Sequence, residues 1–155
     1  KIVVDLRDNS GGEVVAVADM VAECAGYIKI IENRYHGEDV VVEQSCDEPY
    51  FGGKQVVLLV NGMSASASEI FTAALKQSLD ATIVGTTTYG KGVFQEEAVL
   101  SDGGTLHYTA GYFTVGDWDC WQGVGISPDV EIDMDSSLIG TDDDIQLQKA
   151  LEILG

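Results

Sequence analysis

The sequence is short of basic residues, histidine and cysteine, and each shortage excludes something. Eight Lys and Arg stand against 26 Asp and Glu in 155 residues, a formal net charge of −18 at pH 7. A field of that sign repels phosphate, so nucleic acid and anionic membrane surfaces are excluded as general partners. The three cysteines, Cys24, Cys46 and Cys120, are far apart and form no Cys-x-x-Cys pair. That argues against a full disulfide framework and against a zinc knuckle. His36 and His107 are the only histidines, no His or Cys spacing suits a metal, and no cofactor is implied. No apolar run approaches the ~20 residues of a transmembrane helix. Lys1 leads straight into the apolar run Ile2-Val3-Val4 with no signal peptide before it. That opening is expected of a piece cut from a longer protein, whose missing part could carry the address.

What is present fits one domain, 1–155, of a size that buries about 68–70% of its unfolded surface. The 45% hydrophobic content and 18 glycines indicate a globular chain. Ile2 to Leu6 is a short β-branched run and predicts a buried strand. Val14, Val17, Ala18, Val21 and Ala22 recur at helical spacing, predicting a helix over Glu13–Ala25. Strands are expected at Ile28–Glu32 and Val40–Gln44, then a loop over Ser45–Lys54. Val56–Val60 is the strongest buried-strand signal, followed by a helix over Ser66–Ser78 and a strand over Ala81–Val84. Val93–Leu100 and Thr105–Phe113 read as a hairpin. A last helix is expected to begin at Thr141, with Asp144 at its positive end. Strands alternating with helices indicate an α/β fold with an antiparallel hairpin attached.

Three segments could carry chemistry. In Asn61-Gly62-Met63-Ser64-Ala65-Ser66-Ala67-Ser68-Glu69, small residues join a buried strand to a helix. A serine there would have the free N–H groups of the helix start beside it, ready for a developing oxyanion. The same serines could simply cap the helix. The run Gly85-Thr86-Thr87-Thr88-Tyr89-Gly90-Lys91-Gly92 approaches a phosphate loop. It lacks the hydroxyl that holds Mg²⁺, and a strand rather than a helix follows it. Lys91 could instead act as a base if desolvation lowered its pKa by ~3–5 units, or remain an ordinary solvated lysine. Asp8-Asn9-Ser10-Gly11-Gly12 could point backbone N–H groups at a ligand or be a plain turn. His107 offers a weaker alternative base for Ser66. Asp142-Asp143-Asp144 lacks calcium-loop spacing and reads as a helix start.

Together these segments resemble the core of the C-terminal processing peptidases, or tail-specific proteases, which use a Ser–Lys pair. The stretches that carry the resemblance are Val4–Gly12, Val60–Ile70 and Ile83–Gly92, with Gln95, Gly123–Asp129 and Asp143–Leu147. The resemblance implies that Ser66 is the nucleophile, that Lys91 is the base, and that Gln95 supports it. It implies oxyanion donors at the backbone N–H of Ala67 and of Gly11 or Gly12. The fold it implies is built of ββα units, as in the Clp-protease and crotonase architecture. It also implies protein or peptide substrates cut near their C-termini, and work outside the cytoplasm. A PDZ domain and earlier core elements are expected elsewhere in the full-length protein, and homo-oligomers are compatible with the resemblance. Two departures stand out. Ser10 replaces the usual Pro, and Gly116-Asp117-Trp118-Asp119-Cys120-Trp121 replaces a small-residue turn. Two rival readings remain. One is a non-catalytic module of the same fold carrying a peptide or apolar ligand, and the other is a nucleotide hydrolase using Lys91. Retention of Ser66, Lys91 and Gln95 together argues against the first.

Overall fold

The computed structural model describes residues 1–155 and contains two four-stranded sheets with three helices. In the first sheet β1 (Ile2–Asp5), β4 (Val56–Val60), β5 (Thr82–Gly85) and β8 (Val130–Glu131) run parallel in the order β1-β4-β5-β8. The second sheet is antiparallel. Its order is β3-β2-β7-β6, from β2 (Tyr27–Arg34), β3 (Val40–Ser45), β6 (Val93–Val99) and β7 (Thr105–Val115). The expected hairpin is β6–β7, and pairing of β7 with β2 joins it to a second hairpin.

The central strand β4 is buried along its whole length, which suits its unbroken run of Val and Leu. Its side chains alternate between two cores. Val56, Leu58 and Val60 enter the larger one, with residues of α1 (Val14–Ala25), α2 (Ala67–Leu79) and the antiparallel sheet. Val57 and Leu59 enter the smaller one, with Ala150 and Leu154 of α3 (Ile145–Leu154). Helix α1 packs on β2 and β3, and α2 on β7, so these two helices bridge the sheets.

Helix α3 begins at Ile145, four residues later than the sequence suggests. Asp144 is its N-cap and accepts the Leu147 N–H at 2.9 Å. Thr141 is engaged in a local turn: its hydroxyl donates to the Leu138 carbonyl and accepts the Asp143 N–H. A side chain that bonds its own backbone in this way competes with the helix. The loops after β1, β4 and β5 gather at the carboxyl ends of the parallel strands, where α/β sheets place their sites.

Candidate active site

The loop between β4 and α2 is made of small residues because the loop after β1 lies against it. Ser64 is buried; its hydroxyl donates to the Leu6 carbonyl at 2.7 Å and accepts the Asn61 N–H at 3.0 Å. The Asn9 carbonyl accepts both the Ala65 N–H at 3.0 Å and the Ser68 hydroxyl at 2.9 Å. The Asn61 amide bonds Asp8 twice, at 3.0 Å through the Asp8 N–H and at 2.9 Å through its carboxylate. Ser64 and Ser68 are therefore latches for the first loop and not helix caps.

Ser66 is different. It sits half-buried at the mouth of α2 with φ 57° and ψ −117°. That backbone is strained for a residue with a Cβ, and strain of this kind persists only where the surroundings enforce it. Glu69 does so. Its side chain is fully buried and carries no counter-cation. One carboxylate oxygen accepts the Thr88 hydroxyl at 2.6 Å and the Gly90 N–H at 2.7 Å. The other accepts the Ser66 N–H at 2.9 Å and the Lys91 N–H at 2.8 Å. All four partners are donors, which suits an ionised, acceptor-only carboxylate. One oxygen thus holds the backbones of Ser66 and Lys91 together, their nitrogens no farther apart than the sum of those two arms.

The other side of the Lys91 loop is held by the segment after β7. The Gln122 side-chain carbonyl accepts the Gly92 N–H at 2.9 Å, and the Gly123 N–H donates to the Gly90 carbonyl at 2.8 Å. The Thr88 hydroxyl also accepts the Ile126 N–H at 2.7 Å. The strand β6 follows Gly92, so no helix start faces this loop as a phosphate site requires. The Lys91 side chain is half-buried and joins no ion pair. No hydrogen bond links it to the Ser66 hydroxyl.

The glycines of the first loop divide their roles. The Gly11 N–H donates to Asn9 Oδ1 at 3.0 Å. The N–H groups of Gly12 and Ala67 have no acceptor within the chain. Gly11, at φ 96°, lies so close to the nucleophile loop that a Cβ there would be 2.9 Å from Ser66 Cβ. Gln95 is exposed on β6 just past a bulge after Phe94, and its amide makes no bond to Lys91. His107 is exposed on β7, paired across the strand with Glu97, and His36 lies exposed in the β2–β3 turn. Neither is brought to Ser66. All three cysteines are free thiols.

Behind the first loop, Arg7 is buried and bridges Asp5 and Asp144, with bidentate bonds of 2.9 Å to Asp144 and a bond to Gln146 at 3.0 Å. The hydrogen bonds that Arg7 donates to Asp5, and then to Asp144, hold its guanidinium even more firmly protonated than usual, against the opposing effect of burial. Arg7, and then the Gly140 and Leu147 N–H groups, hold the Asp144 carboxyl well below the usual carboxylate range, against the opposing effect of burial.

Glu69, Thr88, Asn9 and Gln122 are the residues that the motif reading did not single out. Glu69 alone had a signal, an acid three residues after the candidate nucleophile, as in a capping box.

The chain as a whole is similar to known proteins. The chain is 38% identical over 138 residues to a Staphylococcus aureus protein named "Probable CtpA-like serine protease", covering 86% of this chain and 27% of that protein. A Staphylococcus epidermidis protein of the same name is 35% identical over 136 residues. The chain thus spans about a quarter of the length of these relatives. Among solved structures, the photosystem II D1 C-terminal processing protease superimposes with a TM-score of 0.75 at 30% identity, over 84% of this chain and 34% of that one. The tricorn protease shares the fold, with a TM-score of 0.61 at 21% identity over 98% of this chain and 14% of its own. Residues 1–132 match peptidase family S41, and the chain belongs to that family.

Proposed function

We propose that this chain is the catalytic core of a serine peptidase in which Ser66 is the nucleophile and Lys91 the general base. The observation that carries this reading is the Glu69 carboxylate, which ties the Ser66 and Lys91 backbones to one oxygen beside two unpaired N–H groups. In the first step the neutral Lys91 amine takes the Ser66 hydroxyl proton as Oγ attacks the substrate carbonyl carbon. The N–H groups of Ala67 and Gly12 receive the oxyanion. Collapse breaks the C–N bond, and Lys91 returns the proton to the leaving amine. Water, deprotonated by Lys91, then attacks the acyl-enzyme and frees Ser66. Gln95 orients the Lys91 amine once substrate is bound. No step needs a metal or cofactor.

The substrates are proteins cut near their C-termini, a reading supported by the D1 C-terminal processing protease among the relatives. The full-length protein is proposed to work outside the cytoplasm and to recruit substrates through a PDZ domain.

The test is cleavage of a C-terminally tagged protein by the full-length enzyme. Ser66→Ala and Lys91→Arg each lose at least ~10³-fold in kcat, since arginine stays protonated and cannot act as a base. A serine-directed covalent probe labels Ser66. Undiminished cleavage in either variant overturns the assignment. Saturable binding of an apolar ligand without Ser66 labelling would favour a carrier instead.

A further inference from the structure

An apolar pocket of about 170 Å³ opens between the first loop, α1 and the start of α2, lined by Ala67 and Ser68, which directly follow Ser66 in the chain. Its wall includes Gly12 and Ala67, the two residues whose N–H groups have no partner. Its floor is Leu6, Val17 and Phe71, each buried. Ala16 and Met20 of α1 form its rim, and Met20 is 57% exposed, a large apolar side chain left facing solvent. Glu13 also stands at the rim, exposed and in no ion pair.

We infer that this pocket receives the side chain of the substrate residue whose carbonyl Ser66 attacks, and that it selects a leucine- to phenylalanine-sized apolar group. This rests on the peptidase reading. A carbonyl oxygen held by the Gly12 and Ala67 N–H groups places the adjoining Cα, and so its side chain, at a wall shared with the pocket. The volume fits the occupant. An apolar cavity of about 150 Å³ holds a benzene molecule, so this one takes a phenyl ring or an isobutyl group and leaves most of its space empty around a methyl. The Asn9 carbonyl and Oδ1, which also line it, are already occupied by Ala65, Ser68 and Gly11. In this reading the free Gly12 and Ala67 N–H groups are taken by the substrate carbonyl oxygen, the rest of the wall is mainly aliphatic and aromatic, and the Glu13 carboxylate repels an acidic side chain. Met20 is an unbranched, flexible thioether of the kind that conforms to varied apolar groups. It can fold over the side chain that enters.

The experiment compares kcat/KM of the full-length enzyme on peptides differing only at the residue donating the scissile carbonyl, as Ala, Leu, Phe or Asp. Leu and Phe are cleaved at least ~10-fold more efficiently than Ala, the lower end of what one methylene in an apolar pocket contributes, and Asp is the poorest. Ala16→Phe, at an exposed helical position, fills the rim and lowers the Leu-to-Ala ratio at least ~10-fold. Met20→Ala, also exposed, widens the rim and raises the Phe-to-Leu ratio. Ser66-dependent cleavage with the four peptides within threefold, or with ratios unchanged in both variants, overturns the pocket assignment and leaves the peptidase reading standing. Absence of Ser66-dependent cleavage in the parent enzyme overturns both.

Discussion

A methyl group added at Gly11 would sit 2.6 Å from the Ala65 carbonyl and 2.7 Å from the Ala67 nitrogen, whereas one added at Gly12 would meet nothing within 4 Å. The neighbours are backbone, which cannot rotate away, and the φ of 96° at Gly11 already disfavours a Cβ. Gly11→Ala therefore costs about 1–3 kcal/mol of stability and pushes the nucleophile loop off its position. Gly12→Ala keeps both the N–H and the space. Thermal unfolding and peptidase rates of the two variants should diverge, with Gly12→Ala close to the parent. Equal losses in both would contradict this assignment of roles. Glu69→Gln is the second test at this scale. An amide offers one carbonyl oxygen where four donors now share two, so at least one buried N–H is orphaned, at about 1–3 kcal/mol. Activity should fall more than stability does, because the orphaned groups hold Ser66 and Lys91. The loops that carry Ser66 and Lys91 stood out in the sequence because small residues and glycines mark where loops must approach closely, while the roles proposed for the two side chains came from the family resemblance. The hub that joins them did not stand out. Glu69 meets Thr88 and Gly90, whose convergence depends on how β5 delivers its loop to α2, and a single chain of letters does not show that. The choice between Gly11 and Gly12 was likewise hidden, since it turns on where the Asn9 amide points.

At the scale of elements, the reading succeeded where hydrophobic pattern alone decides. Val56–Val60 has one β-branched or branched residue after another, and it is the buried centre of the parallel sheet. It failed where a tertiary partner decides. Helix α3 starts at Ile145 because Asp144 is fixed by Arg7, 137 positions earlier, and no local rule says so. The two-residue β8 escaped notice because so short a strand has no period to detect. The Arg7–Asp144 pair makes a prediction about acid stability. The folded-state pKa of Asp144 is depressed below the unfolded value of ~3.9. Its stabilising effect is thus fully present above about pH 4 and is lost as pH falls toward the folded value. Asp144→Asn leaves Arg7 with an incomplete partner set, and breaking a buried pair costs about 3–5 kcal/mol at neutral pH. The gap in unfolding free energy between parent and variant should shrink below about pH 4. A gap that stays constant down to pH 2 would show that the pair is not what anchors α3.

Across the whole molecule, two hairpins merge into one sheet through β2 and β7, a pairing of residues roughly eighty positions apart in the chain. Composition could not announce that, since long-range register depends on which buried faces meet. Composition did announce the charge. With 26 acids against eight bases, the chain surrounds a nearly apolar pocket with a negative field. Such a field acts on approach more than on the bound state, because distant exposed charges are screened over ~8 Å at physiological salt. Two peptides identical around the scissile bond, one carrying distal lysines and the other distal glutamates, should therefore differ in kcat/KM and not in kcat. The lysine peptide should lead by several-fold at low ionic strength, and the lead should close as NaCl is raised toward 0.5 M. A preference that persists at high salt would instead mean a specific acidic contact, with Glu13 at the pocket rim the first residue to neutralise, as Glu13→Gln. Equal rates at low salt would refute electrostatic steering by this field.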